Sequence, residues 1–596
     1  MTTVVFDIEA DGLLPTVSKI HCMSLSVDGE NPECYTDINE ALRYLSHAST
    51  LIGHNIIEYD LPVLRKLAGW SPKPSQVIRD TLPLSRIVWP DIGNKDASND
   101  NIPKKYWGRY SLRAFGHRMD MHKGDVDSFD EFTPEMVGYC NQDVRITESL
   151  YSLIKRIGIT NDAAELEMEF GLLAQEMHEV GIQFDTCKAA ILYNTLLDRR
   201  LECLDTVSNL VPPTVTELKT PQYWIDTLTD VKYARKSDAP PACKPDLKRG
   251  PNKVKTTEFN PVSRVQVGKY LQSKGWKPTA FTATGLPQVN EGTLLSIEGI
   301  PEAKVLSDLY RLNKLIAMLA EGDEAWMKLS HKDRVHPRLK TMGTISGRTS
   351  CVRPNLQQVP SARLPYGREC RELFTAKDEY VLIGCDAKSL EVRCFAHYMS
   401  KYDSGAFKDE VISGDIHQSN ATFMGCDRQT AKNTFFALIY GASPTKIASM
   451  LGVDLVEAEN LLHSLFQSRP AMQHLITGIK RAAETRGYLR GLDGRKLIPR
   501  SVHSSVNLLV QAAGACVSKQ AAVNVRRYII DNKLACQGVR IVGFIHDEYI
   551  IESPEYKAGQ ILNAACASFR STTEQFNLRC PMDGEGSIGA TWYDVH

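Results

Sequence analysis

The stretch VRIVGFIHDEYIIES, residues 539–553, places Asp547 and Glu548 side by side in a run that otherwise reads as a buried apolar strand. An unpaired carboxylate there costs several kcal/mol or takes up a proton, so something positive has to stand beside it. A basic side chain and a divalent metal both meet that need, and the motif alone does not separate them. Asp386 poses the same question: it closes the apolar strand of DEYVLIGCDAKSLEVR, ahead of a turn and a helix carrying Glu391 and Arg393. Pairing the two strands would gather Asp386 and Asp547 about one divalent metal. Adjacent strand residues face opposite ways, so only one of Asp547 and Glu548 can face Asp386 directly.

A further set of acids opens the chain. TTVVFDIEA is β-branched and apolar, and strand residues two apart share a face, so Asp7 and Glu9 are neighbours whose repulsion favours a bridging cation. Asp60 precedes apolar residues at helical spacing in HNIIEYDLPVLRKLA, and Tyr139 and Asp143 lie four apart on one helical face of EMVGYCNQDVRITESLYSLI. In RQTAKNTFFALIYGAS, Arg428, Lys432, Phe436 and Tyr440 follow one another at steps of four. Two cations on one face repel, which an anion would offset, and cations followed by aromatics suit a nucleoside triphosphate, phosphates first and base last. The plainer alternative is an amphipathic helix that buries its aromatics.

Positioning so many groups takes several folded bodies. At 596 residues the chain exceeds one core and should form roughly three to five domains or subdomains. A net charge of -1 gives no global sign of a polyanion partner, so any such site must be local. One local stretch stands out: Arg338, Lys340, Arg348, Arg353, Arg363, Arg368 and Arg371 face Glu369 as the sole acid between 338 and 371, a balance suited to neutralising phosphates. Residues 160–210 show helical periodicity broken at Gly181. Segment 211–258, rich in proline and with nine Lys or Arg against four Asp from Lys219 to Lys255, reads as a long loop. It suits either a solvated insertion or a contact with a polyanion or partner.

The fifteen cysteines form no CxxC pair and read as buried thiols of a reducing compartment. No apolar run reaches the ~18 residues of a membrane span, and MTTVVFDIEADG fits neither a signal nor a transit peptide. A soluble, cytoplasmic protein without membrane partners is expected.

The DxE, D and YxxxD motifs in that order resemble the three motifs of DEDDy 3′ to 5′ exonucleases, which have an RNase H-like α/β fold. DAKSLEVR resembles motif A, RxxxKxxxFxxxYG motif B and HDE motif C of A-family DNA polymerases, with the T-odd bacteriophage replicative type the nearest match. SGRTSxxxPNLQQVP, GDIHQSNA, GLDGRK and NLLVQAAGA support it. The resemblance implies an α/β multidomain chain with the exonuclease first (1–155), then a right hand: thumb with its basic loop (156–340), palm (341–414), fingers (415–503) and palm again (504–596).

It also implies roles. Asp7, Glu9, Asp60 and Asp143 would hold two Mg2+ ions while Tyr139 orients the attacking water. Asp386 and Asp547 would hold two more, with Glu548 as an accessory acid; Mn2+ can substitute. His417, Arg428 and Lys432 would bind the triphosphate, with Arg393 in the same neighbourhood. Phe436 and Tyr440 would meet the sugar and base, and Glu391 would exclude a ribose 2′-OH. Arg348, Arg495, Gln511 and His546 would contact the primer-template DNA. The implied partners are that DNA, dNTPs and a replisome helicase-primase of a phage growing in a bacterial host cell.

Two departures accompany the match. Ala437 follows Phe436 where the family often has glycine, and Phe436 itself lacks the hydroxyl of a tyrosine, which predicts discrimination against dideoxynucleotides. The 211–258 segment lies where T-odd phage enzymes carry a thumb insertion that binds host thioredoxin. It is shorter here, which argues against that processivity factor. A nuclease using the rest of the chain as a DNA platform, a single-subunit RNA polymerase and a non-catalytic scaffold are the alternatives, each disfavoured by the retained acids or by Glu391.

Overall fold

The computed structural model describes residues 2–596. It divides into two compact units, one running to Asp185 and resuming over Ser330–His596, the other Thr186–Leu329.

The first unit opens with β1 (Thr3–Ala10), β2 (Ile20–Val27), β3 (Glu33–Tyr35), β4 (Thr50–Gly53) and β5 (Val77–Asp80), in the order β3-β2-β1-β4-β5. The first three run antiparallel, and β4 and β5 join in parallel. β1 lies in the middle, which is why its sequence is nearly continuously apolar around Asp7 and Glu9. Helices Asp60–Ala68, Thr81–Val88 and Pro134–Ile157 contribute Leu61, Leu64, Leu84, Ile146 and Leu150 to one core with Phe6, Ile8 and Leu51 of the sheet. Asp80, a buried acid nearby, is fully occupied as a cap: it accepts from the Leu82, Asn55 and Ile57 amides.

Helix Asn161–Val180 ends at Gly181, whose φ of 67° is rarely open to an L side chain and whose Cβ would stand 2.7 Å from the Val335 carbonyl. The predicted break is there, and the short strand Ile182–Phe184 follows it.

A second sheet joins distant parts of the chain. β6 (Tyr380–Ala387), β7 (Arg540–Ile545), β8 (Glu548–Pro554) and β9 (Gly584–Gly589) are antiparallel in the order β7-β8-β6-β9; helix Ala558–Gln575 packs on β6, β8 and β9, helix Asn161–Val180 on β7, and helix Ser505–Asp531 packs against both helices. Residues 539–553 therefore do not form one interrupted strand. They form a hairpin whose two-residue turn is His546–Asp547, because Ile545 pairs with Glu548. Hydropathy counts both arms as one apolar run; the reversal shows only when both arms pair.

Behind this sheet lies a closed set of charges. Glu167 accepts from Lys519 at 2.7 and 2.9 Å and from Arg495 at 2.9 Å, and Arg495 also bonds Asp493 at 2.7 Å. All four residues are at most 5 % exposed.

In the second unit, helices Thr186–Leu210 and Pro301–Ile316 pack around Val207, Val267, Leu271, Leu294 and Leu306. The 211–258 segment is not the long loop its prolines and charges suggest. Thr214–Pro221 pairs with Asn252–Thr257 as a ribbon, and Trp224–Asp226 lies between Lys232–Tyr233 and Leu247–Arg249 in a small sheet. The alternating β-branched pattern of TVTELKT carries this strand, and its backbone groups are satisfied by residues 31 to 43 positions away.

Candidate active sites

Two acid clusters are assembled, both in the first unit. In the amino-terminal cluster, β1 supplies Asp7 and Glu9, helix Asp60–Ala68 supplies Asp60 at its first residue, and helix Pro134–Ile157 supplies Tyr139 and Asp143. Asp60 Oδ1 accepts from the Ile8 amide at 3.2 Å, which fixes its carboxylate against β1. Asp7, Glu9 and Cys140 offer ligand atoms within 4.8 Å of one another. Burial, reinforced by repulsion from Asp143, Asp60 and Glu9, raises the Asp7 pKa well above the carboxylate range. Burial and then Asp143 push Glu9 to about 8, and burial lifts Asp60 to about 7 against the Ile8 amide.

One cation of this cluster has no signal in the sequence. Lys123, from the segment joining two helices, forms an ion pair with Asp143 and lies 4.4 Å over the Tyr139 ring. Asp143 is raised by burial and pulled back by Lys123. Nothing in the periodicity of DMHKGDVD points inward, so only the folded chain reveals it.

The second cluster follows from strand register. Cys385 pairs with Tyr549 and Gly384 with Ile550, so one step further Asp386 comes opposite Glu548, with Asp547 next on the turn. His546 accommodates the turn with a φ of 60°, a left-handed conformation costly for a non-glycine residue. Asp386 is raised to about 7 by burial and then by Asp547, so the two carboxylates are close enough to repel. Burial also raises Asp547, opposed by Arg348 and His546. Glu548 accepts from His596 Nδ1 at 2.7 Å, while its Oε1 is buried without a partner among the described residues. Arg371, buried and bonded to the Pro360 carbonyl at 3.0 Å, adds its charge nearby. His596 has no signal in the sequence, and Arg371, expected to neutralise phosphates as part of the basic 338–371 stretch, is buried instead.

The basic side chains around Asp547 and Glu548 do not cancel the repulsion, and in both clusters the donors are mostly hard carboxylate oxygens held near one another by separate elements. Such a set fits hard divalent cations of the Mg2+ type.

Around the second cluster, Glu391 receives Arg348 Nη2 at 2.9 Å and the Tyr440 hydroxyl at 2.6 Å. Helix Arg428–Ile439 buries Phe435, Ala431 and Thr434, whereas Phe436 stays half-buried and Tyr440 exposed. The stripe of four is thus the open face, and Phe435 takes the buried aromatic place that the plainer reading gave to the stripe. Arg428 bonds Asp415 at 2.7 Å, and His417 stands 5.6 Å from the Phe436 ring with its Nδ1 buried and unpartnered among the described residues.

A family model described as DNA polymerase family A matches residues 246–594. The chain belongs to DNA polymerase family A. It is 29% identical to the DNA-directed DNA polymerase of Enterobacteria phage T3 and 28% identical to that of Escherichia phage T7, covering 100% of each protein and of itself. It is 29% identical to the thermostable DNA polymerase I of Thermus filiformis over 56% of this chain and 42% of that protein. Among solved structures it resembles the POL domain of Pol1 from M. smegmatis in complex with DNA primer-template and dNTP, with a TM-score of 0.74 at 16% identity over 100% of this chain and 96% of that one.

Within this family A polymerase two expected contacts are corrected. Arg495, expected at DNA, is 5 % exposed and committed to Asp493 and Glu167. Arg393, expected near the triphosphate, is 7 % exposed and donates to the Pro581 carbonyl at 2.5 Å. A sequence motif records that a cation is present, not which carboxylate has claimed it. Gln511 lies half-buried on the Ser505–Asp531 helix and His546 is exposed at the hairpin tip. Among the described residues no helix is long and apolar enough to cross a membrane, and all fifteen cysteines are unpaired.

Proposed function

We propose that this family A DNA polymerase extends a primer 3′-OH on a DNA template at the Asp386–Asp547 centre and trims 3′ ends at the Asp7–Glu9–Asp60–Asp143 centre. The observation that carries the reading is the register that sets Asp386 against the His546–Asp547 turn: two carboxylates from distant segments, held together against their repulsion. Residues 1–155 would be the exonuclease, 156–340 the thumb, 341–414 with 504–596 the palm and 415–503 the fingers. The basic ribbon of the thumb region carries no assigned partner in this reading.

Asp386 and Asp547 would hold one pair of Mg2+ ions, and Asp7, Glu9, Asp60 and Asp143 the other. When bound, such a pair activates a hydroxyl or water and stabilises the attacking and leaving oxygens of an in-line displacement. The chain's own groups do the rest. Arg428 and Lys432 bind phosphates from the open helix face, with His417 Nδ1 free to join them. Phe436 and Tyr440 line the sugar and base. Glu391, held by Arg348 and Tyr440, stands as a wall against a 2′-OH. Gln511 and His546 face the DNA. Tyr139, under the Lys123 ammonium, orients the water at the nuclease centre.

The test is a pair of variants assayed for both reactions. Asp547→Ala should lose primer extension and keep degradation of single strands, and Asp7→Ala with Glu9→Ala should do the reverse. Loss of both activities in either folded variant contradicts a two-centre enzyme.

A further inference from the structure

We propose that Lys123 is a positioning residue of the nuclease centre: an internal cation that occupies Asp143 in the free protein and withholds one divalent-ion site until a DNA strand arrives. The inference rests on the nuclease reading above and adds a regulation to it.

Lys123 is not a surface lysine caught in passing. Its side chain is 10% exposed, and the segment around it is tied down on both sides. Phe129 gives its carbonyl to His21 Nε2 at 2.8 Å and its ring to Tyr139 at 5.8 Å. On the nearer side Arg113 bonds Asp125 at 2.6 Å, and the His122 carbonyl accepts from Gln142 at 3.3 Å. The ammonium is thus delivered to Asp143 and the Tyr139 face by a segment bonded through the His122 and Phe129 carbonyls.

Its hydrogen bonding is nevertheless incomplete. Among the described residues one of its three N–H donors is used, on Asp143 Oδ2, and Asp143 Oδ1 is buried with no partner among them. The ammonium's other contact is the face of the Tyr139 ring, 4.4 Å away, so its hold on Asp143 is a single hydrogen bond that another anion could replace. Charge points the same way. Two divalent ions balance the carboxylates of Asp7, Glu9, Asp60 and Asp143, which leaves Lys123 as one surplus positive charge. A bound phosphodiester brings the one negative charge that matches it. Without DNA the ammonium belongs to Asp143; with DNA it has a phosphate to turn to, and Asp143 is released to a second ion. A centre so arranged is poorly charged with metal until there is a strand to cut.

The experiment measures Mn2+ uptake by electron paramagnetic resonance on the full chain carrying Asp386→Asn and Asp547→Asn, so that the nuclease centre reports alone. With Lys123 present, one Mn2+ should bind without DNA, and a non-hydrolysable phosphorothioate oligonucleotide should raise the count to two. Lys123→Met should bind two without DNA, the second about tenfold or more tighter than in its parent. Lys123→Arg should behave as the parent. Equal uptake by parent and Lys123→Met without DNA, or a count the oligonucleotide leaves unchanged, overturns the proposal. Adding Asp7→Ala and Glu9→Ala separates it from the underlying reading: if that protein still binds Mn2+ and degrades single strands, the nuclease centre itself is misassigned. Thermal unfolding of Lys123→Met at the parent's temperature shows that the comparison is between folded proteins.

Discussion

The two acid clusters differ in what lies beside the charges before any ion arrives. In the amino-terminal one, Glu9, Asp60 and Asp143 are 8 %, 3 % and 4 % exposed while Asp7 is half-buried, and a lysine is folded in with them. In the other, Asp386 is exposed at a strand end, Asp547 half-buried at a hairpin tip and Glu548 buried, and the cations around them are Arg348, shared with Glu391, and His596, bonded to Glu548. A buried cluster must carry counter-charge in its own fold, because water cannot supply it; an open one can leave that to solvent and to what binds. The Glu167 set marks the end of this scale. There every carboxylate has a guanidinium or ammonium within hydrogen-bond distance, and the charges serve packing alone.

The sharpest break is Asp386→Asn, which should lower primer extension on the order of a thousandfold or more while single-strand degradation holds. A loss of both would mean that the clusters are not independent. Next comes Glu167→Gln. It leaves Lys519 and Arg495 buried with one carboxylate too few, and should cost about 3–5 kcal/mol of stability by chemical denaturation. Both activities should then fail together on warming, and a neutral result would show that water reaches the network.

A pH series probes the contrast in burial. A carboxyl raised in the fold keeps a proton that the unfolded chain has released, so stability falls as pH climbs from the ordinary carboxylate range through the folded values of about 7 to 8. Without divalent metal the melting temperature should therefore drop between about pH 5 and pH 8. Mg2+ should restore more of it at the upper end. Asp7→Asn with Glu9→Gln should flatten this slope more than Asp386→Asn does; equal flattening would remove the distinction drawn here.

The smallest expected effect is at the rim of the open cluster. Tyr440→Phe deletes one hydrogen bond to Glu391, worth about 1 kcal/mol, and should weaken discrimination against ribonucleotides by no more than about tenfold in competitive incorporation. A larger change would mean that Tyr440 also contacts the nucleotide.

Much of this was legible without coordinates. Asp7 and Glu9 share a strand because alternation requires it, and Tyr139 and Asp143 share a helix face because four residues make about one turn. The 428–440 stripe was visible, though whether it faced the core or lay open was decided only when Phe435 took the buried place. Arg495 and Arg393 were misjudged because local composition does not reveal a carboxylate or carbonyl contributed from far along the chain, such as Glu167 or Pro581. Lys123 was invisible for the same reason in reverse: its partner is near in sequence, but the segment carrying it has no period.

The sequence by itself determined which chemistry this protein can attempt, because residue types and short spacings set which donors can share a strand or helix face. Tertiary structure decided which charges are free to do that chemistry. That depends on strand register, on a two-residue turn at His546–Asp547 and on which cation reaches each carboxylate first; the turn is closed locally, but the register of Asp386 and the Arg495–Glu167 pairing are set by residues far apart in the chain.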